Sequence, residues 1–341
     1  IVARWKYYGS RLWNNGEMPG RMLFILVSIL LVVIYGASPA LVAAEASPDH
    51  AVTKEPSEPA QDERRLLPSL QNATPGQRAR LTEERTRLSA VAAANGIDPT
   101  AIVGYSQAAY GHGVFTNGLN LETATAVVQL PFTPNLAVRA TLPYVWADLD
   151  RPQGFTTNGT SDLFVRAGGR VYTSPHLALL IGMDIAFPTG SNDRLSTGKY
   201  GLGPGAAVRV PLPRLRSLFI TLVEDFKSVG GDPSRRDIHF MQVQPSITTI
   251  WSERWWTTVG AVWAVDWNNE RRTVVNLQGE IGHRLDDRWR LFVQPGAGVV
   301  GRDTPLGLDW TVQAGVRWMF SGSLFPERLI ESLPVEGISK N

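Results

Sequence analysis

A chain of 341 residues with 43% apolar and 19% charged side chains carries enough apolar material for one large domain or two ordinary ones, which excludes wholesale disorder. Its 33 basic residues stand against 31 acidic ones, a net charge of +2, and they are scattered along the chain, which argues against a nucleic-acid surface. Without cysteine there is no disulfide framework, thiolate nucleophile or Cys-ligated metal. The five histidines, His50, His112, His176, His239 and His283, form no i, i+3 or i, i+4 ligand pair. We therefore expect no metal, no cofactor and no catalytic residue.

The first organised segment is a basic flank at Arg21, an apolar run from Leu23 to Tyr35 of about 13 residues, and small residues ending in Val42-Ala43-Ala44 and Ala44-Glu45-Ala46. This reads as a signal peptide over residues 22–46, cleaved after Ala44 or Ala46. The competing reading, a membrane anchor, needs roughly 20 apolar residues. Residues 1–21 begin with Ile, and the expectation is that translation starts at Met18 or Met22, which makes them an upstream non-native segment. No Cys follows the signal, so lipoprotein processing is excluded.

Residues 47–73, rich in Pro, Ser, Glu, Ala and Gln, have the composition of a disordered linker. Residues 74–98 then predict a helix with clear punctuation: Thr74 as N-cap, Pro75 at the first helical position, Gln77 completing a capping box and Gly96 as terminator after Asn95. Its narrow stripe of Leu81, Leu88, Val91 and Ala92 predicts a solvated periplasmic helix. A plug in a barrel and a partner-binding coiled coil are the alternatives.

After Asp98-Pro99 the apolar period changes to two and stays so to Phe320, giving a barrel domain over residues 99–320. Leu177, Leu179, Ile181, Met183, Ile185 and Phe187 share one face of a strand, and Ala178, Gly182, Asp184 and Ala186 lie on the other. The same rule places strands at 102–112, 119–132, 136–147, 161–172, 177–187, 199–212, 215–227, 237–251, 255–267, 271–285, 288–300 and 307–320. Such alternation fits either a half-buried soluble sheet or a membrane barrel.

The connections discriminate. Tight turns at Thr133-Pro134-Asn135, Ser174-Pro175-His176, Pro213-Arg214, Ser252-Glu253-Arg254 and Asp286-Asp287 alternate with longer polar links at 113–118, 148–160, 189–198, 228–236, 268–270 and 301–306. Short turns on one rim and longer loops on the other predict an all-β, transmembrane, antiparallel up-and-down β-barrel of about 12 strands, in the bacterial outer membrane.

Aromatic residues predict two membrane girdles: Trp251, Trp255, Trp289, Trp318 and Phe320 at turn-side strand ends, and Tyr144, Trp146, Trp267 and Trp310 at loop-side ends. Trp255 and Trp267 stand twelve residues apart, roughly 28 Å along a tilted strand and close to the thickness of the apolar band. The last strand carries Trp310, Val312, Ala314, Val316, Trp318 and Phe320 on its outward face, an aromatic-terminated signal similar to that read by the barrel assembly machinery. Residues 321–341 follow it and are expected to form a periplasmic tail.

The segments Thr141-Leu142-Pro143-Tyr144, Gly159-Thr160-Ser161-Asp162-Leu163, Phe187-Pro188-Thr189-Gly190 and Gly201-Leu202-Gly203-Pro204-Gly205 resemble, in order, the outer-membrane barrel family named after the MetA pathway of phenol degradation. The resemblance covers roughly residues 119–320. It implies a barrel transporter, and uptake of aromatic compounds by association with the family name. It supplies no functional residues.

Alternation points Arg139, Arg166, Arg170, Asp184, Arg209, Gln278, Glu280, Arg284, Arg290, Gln294, Gln313 and Arg317 inward as candidate pore-lining residues, with Asp162, Asp266, Gln242, Gln244 and Asn276. Charged side chains at the bilayer midplane cost about 2–4 kcal/mol, so they face water or each other. An Arg-rich lumen favours passive passage of small organic solutes, anionic or aromatic ones by charge and guanidinium stacking. The alternatives are a structural or adhesive barrel with a filled lumen, and an outer-membrane lipid hydrolase. For the last, His239 and His283 face outward, but residues two positions away on their strands, Asp237, Met241, Ile281 and Leu285, supply no hydroxyl nucleophile. Expected partners are outer-membrane lipid and lipopolysaccharide, the assembly machinery and a small-molecule solute.

Overall fold

The structure, a computed structural model, describes residues 74–116, 118–149, 154–302 and 307–320. The expected upstream segment, signal peptide, linker and C-terminal tail lie outside the described residues.

One helix, α1 (Pro75–Ala94), precedes thirteen strand segments: β1 (Gly104–Val114), β2 (Leu119–Thr133), β3 (Leu136–Leu149), β4 (Thr156–Thr160), β5 (Leu163–Thr173), β6 (Ala178–Phe187), β7 (Lys199–Leu212), β8 (Ser217–Gly231), β9 (His239–Ile250), β10 (Trp255–Asp266), β11 (Arg272–Arg284), β12 (Trp289–Val300) and β13 (Trp310–Phe320). Apart from β4 and β5, which both pair with β3, consecutive strands pair antiparallel, and β1 closes on β13 from Gly104 opposite Phe320 to Val114 opposite Trp310. β4 and β5 lie end to end along β3, so the segments make a closed barrel of 12 staves.

The interrupted stave corrects the expected loop at 148–160. β3 and β4 extend the hairpin to Asp148 opposite Thr156, braced by Tyr144 Oη donating to Asn158 Oδ1 at 3.0 Å and Thr156 Oγ1 to Asp148 Oδ1 at 3.1 Å. These side chains are polar because the hairpin projects beyond the apolar band, so alternation does not mark it. The break falls at Ser161 and Asp162, both buried. Ser161 Oγ donates to the Leu195 carbonyl at 2.8 Å. Asp162 accepts from Gly190 N at 3.1 Å and from Thr197 N and Oγ1 at 2.7 Å each. The loop after β6 is thereby pinned against the break between β4 and β5.

The outer wall is apolar. Val259 is 68% exposed, Ile281 53% and Val299 53%, a degree of exposure over a whole surface that a water-soluble sheet does not sustain. Among the described residues no helix is long and apolar enough to cross a membrane; the strands make the crossing. Girdle rings cluster at both ends: Tyr144 with Trp146 at 4.6 Å between centroids on the loop side, and Trp318 with Phe320 at 5.4 Å and with Trp289 at 6.5 Å on the turn side. Trp251 and Trp255 stand exposed at the turn-side rim, Trp310 packs near His112 and Trp267 near His239 at the loop side. Trp263 faces outward at mid-strand, away from either girdle.

α1 begins as its sequence dictates: Gln77 N donates to Thr74 Oγ1 at 3.3 Å and Thr74 N to Gln77 Oε1 at 2.9 Å. Its first turns are exposed. Its last turns are not, which differs from the solvated helix expected: Leu88 and Ala92 are fully buried against Leu218, Ile220 and Ile250 at the turn-side end of β8 and β9. A stripe too narrow for a free amphipathic helix suffices here, because the receiving wall is itself apolar and concave.

Candidate functional site

The segment that leaves α1 folds back into the turn-side end of the barrel interior. Asn95 caps the helix, Gly96 takes the left-handed conformation (φ +65°), and Gly96 N and Ile97 N bond back to Ala93 and Ala92 carbonyls. Asp98 then folds the chain on itself, accepting from Thr100 N at 2.8 Å and Thr100 Oγ1 at 2.6 Å. Asn95, Asp98, Thr100 and Ala101 are all buried, so residues 95–101 form a compact plug.

Three lumenal arginines hold it. Arg290 Nη2 donates to the Ala94 carbonyl at 2.8 Å. Arg317 Nη1 donates to the Asn95 and Gly96 carbonyls at 2.9 and 2.8 Å. The last carbonyls of a helix have no partner within it and carry the negative end of its dipole, so guanidinium groups are suited to them. Arg209 forms an ion pair with Asp98 at 3.3 Å, both side chains almost wholly buried.

Above the plug lies a cavity of 470 Å³, lined by inward residues of most strands and floored by Gly96–Val103. Of the candidate pore-lining residues it brings together Arg139, Arg166, Asp184, Gln278, Glu280, Gln294 and Arg317. Arg209 and Arg290 are committed to the plug. Arg170 and Arg284 sit at the turn-side rim. There Arg170 Nη2 bonds the Pro134 carbonyl and Asn135 Oδ1, each at 3.1 Å, and Arg284 bonds the Asp286 carbonyl at 3.1 Å and the Asp287 carboxylate. Gln313 lies beside Gly111, outside the cavity lining.

Two networks run along the inner wall, one over β5 to β9 and one over β10 to β12. Arg166 donates through Nε and Nη2 to both oxygens of Asp184, and through Nη2 to Glu224 Oε2 at 3.1 Å; Gln242 Nε2 also donates to that oxygen at 2.9 Å. On the other side Trp256 Nε1 donates to Glu280 Oε1 at 2.7 Å and Gln294 Nε2 to Glu280 Oε2 at 2.5 Å. Trp256 lies inward over Gly282, where any side chain would collide with the indole. Toward the loops, beyond Gln242, a 150 Å³ apolar chamber is lined by Phe164, Phe226, Ile238, Phe240, Val262 and Val274, with the Phe226 and Phe240 rings stacked at 5.2 Å. At its edge Lys199 Nζ lies 2.9 Å from Asp237 Oδ1, and this hydrogen bond holds the Asp237 carboxyl below the usual carboxylate range.

Sequence reasoning missed Glu224, Trp256 and the plug residue Asp98. In β8 apolar residues occupy both faces, Leu218, Ile220 and Leu222 inside and Phe219 and Val223 outside, so alternation gives no inward side from which to read Glu224. Adjacent Trp255 and Trp256 are likewise divided only by the pleat.

The outward His239 Nε2 lies 3.2 Å from Asp225 Oδ1. Its other ring neighbour is Trp267, and among the described residues no hydroxyl is bonded to the pair. Among the described residues no group of acidic and histidine side chains is arranged to hold a metal ion.

No family model matches the chain, and no curated protein does. Among solved structures, the COG4313 outer membrane channel from Pseudomonas putida F1 is similar at 15% identity and a TM-score of 0.53, over 64% of this chain and 96% of that one. The NanC porin (9% identity, TM-score 0.45, 64% and 100% covered) and the KdgM porin in complex with disordered oligogalacturonate (11%, 0.41, 63% and 99%) are also matched. The likeness to the COG4313 channel is one of fold: a closed, membrane-spanning antiparallel barrel.

Proposed function

We propose that this barrel is an outer-membrane channel for small organic solutes, passively traversed, with its turn-side rim in the periplasm and residues 95–101 as its plug. The observation that carries the reading is the 470 Å³ cavity inside the barrel, lined by both charged and apolar side chains, whose turn-side floor is a segment held by hydrogen bonds, one ion pair and a small apolar contact. A floor of that kind can leave without breaking a strand pairing. The resemblance to the family named after the MetA pathway of phenol degradation adds aromatic compounds to the solutes worth testing. Lipid, lipopolysaccharide and the barrel assembly machinery are the partners that the apolar wall and the aromatic-terminated closing strand call for.

The second reading is a structural barrel with a filled lumen, favoured by the Arg166–Asp184–Glu224–Gln242 network. The lipid-hydrolase reading would rest on the outward His239–Asp225 pair and lacks a nucleophile beside it. Proteoliposome swelling over a panel of sugars, carboxylates and aromatic compounds separates the three. A channel gives solute-dependent swelling above that of empty liposomes; a filled barrel gives none, and a hydrolase releases fatty acid from the lipid.

A further inference from the structure

We propose that Arg139 is the docking point for the carboxylate of a small organic acid, whose apolar body lies against Leu180, Leu222 and Ile102 in the lumenal cavity. This rests on the channel reading and names the chemistry of what the channel holds.

The lumenal arginines differ in one respect. Arg166, Arg170, Arg209, Arg284, Arg290 and Arg317 each donate to named carboxylates, carbonyls or amide oxygens. Arg139 lines the cavity, and its guanidinium has no hydrogen bond or ion pair among the described residues. It stands on β3 directly opposite Arg166 on β5, and like charges facing each other across a strand pair are unfavourable. Asp184 and Glu224 bond to Arg166, leaving the Arg139 guanidinium with its donors unused.

The acids around the same cavity do not compete for the role. Asp98 is bound by Arg209 and Thr100, Asp184 by Arg166, Glu224 by Arg166 and Gln242. Glu280 has neutral donors in Trp256 and Gln294 and stands on β11, five staves from β3 by the shorter way round the ring. Arg317 on β13, also in the lining, spends its donors on Gln107 and on the Asn95 and Gly96 carbonyls, which leaves Arg139 as the lining guanidinium without a bonded oxygen among the described residues. An entering carboxylate is seated at Arg139 and turned away from Glu280. A guanidinium offers such a group two parallel N–H donors, a fork that an ammonium does not have. Leu180, Leu222 and Ile102 in the lining of the same cavity suit a ligand with an apolar body.

The test is titration calorimetry on the full chain in detergent, with hexanoate, hexanamide and hexylammonium as probes. Hexanoate should bind, and more tightly than either of the others. Arg139→Gln should weaken it at least about tenfold, since hydrogen bonds to charged groups contribute more than neutral ones. Arg139→Lys should fall between the two. Each variant is first checked for heat-modifiable gel mobility, the mark of a folded barrel. Wild-type protein that binds hexanamide or hexylammonium as well as hexanoate, that binds no hexanoate, or whose hexanoate affinity survives Arg139→Gln overturns the proposal. Because binding in detergent needs no passage, hexanoate bound by a protein that shows no flux would end the channel reading and leave this site standing; flux without selective binding would do the reverse.

Discussion

Arg209 on the barrel wall and Asp98 on the plug form an ion pair at 3.3 Å from which water is almost wholly excluded. A buried pair of this kind stabilises little by itself, but removing one partner leaves the other charge stranded, at about 3–5 kcal/mol. The relationship therefore fixes the docked position of residues 95–101.

Asp98→Asn should release the plug. With the docked state destabilised by even half the quoted range, the undocked population rises about tenfold or more. Single-channel recording in planar bilayers should show a longer open time or a larger conductance than the wild type. Identical traces would mean that residues 95–101 do not gate passage.

Leu88→Ala tests the apolar half of the same contact. Leu88 is fully buried against Leu218, Ile220 and Ile250, and such truncations cost about 2–5 kcal/mol. The strand pairing does not depend on it. The expected outcome is faster trypsin cleavage at Arg85 and Arg87 with unchanged heat-modifiable mobility of the barrel; equal cleavage rates would show that this contact does not hold α1.

The lipid face is tested at Ala261, which points outward on β10 midway between Trp255 and Trp267. Ala261→Arg should destabilise the barrel by about 2–4 kcal/mol in a urea titration in vesicles. Gln278→Arg, on the lumenal face of the adjacent β11, should cost much less. Equal effects would contradict the assignment of faces.

Asp162→Ala removes the acceptor for Gly190 N, Thr197 N and Thr197 Oγ1. The loop after β6 should come free of the β4–β5 break and be cut by trypsin at Arg194 in the purified barrel. Resistance equal to the wild type would place the anchor elsewhere, for instance in the Ser161 bond to Leu195.

The fold was legible because a membrane barrel writes its two solvents onto alternate residues. Lipid requires Leu179, Ile181 and Met183 on one side of β6, water and ion pairs require Asp184 on the other, and the order of short and long links fixes antiparallel closure. The rule fails where the inside is not watery. At Leu218 and Ile220 the lumen receives α1, and at Phe226 and Phe240 it forms an apolar chamber, so both faces read alike and Glu224 between them is hidden. At β4 the rule fails for the opposite reason, since Thr156–Thr160 carries no apolar side chain on either face.

What the sequence by itself determined was the barrel, its parity, the inward-facing charges and the capped helix at Thr74, all of which follow from local periodicity and local hydrogen bonding. Only the tertiary structure decided that the end of that helix is a plug, that Arg209, Arg290 and Arg317 hold it, and that Arg139 is left with donors unused. Alternation tells a guanidinium which way to point. Its partner is fixed by which staves the closed ring brings within reach, from residues 100 or more positions away, and no local pattern records that distance.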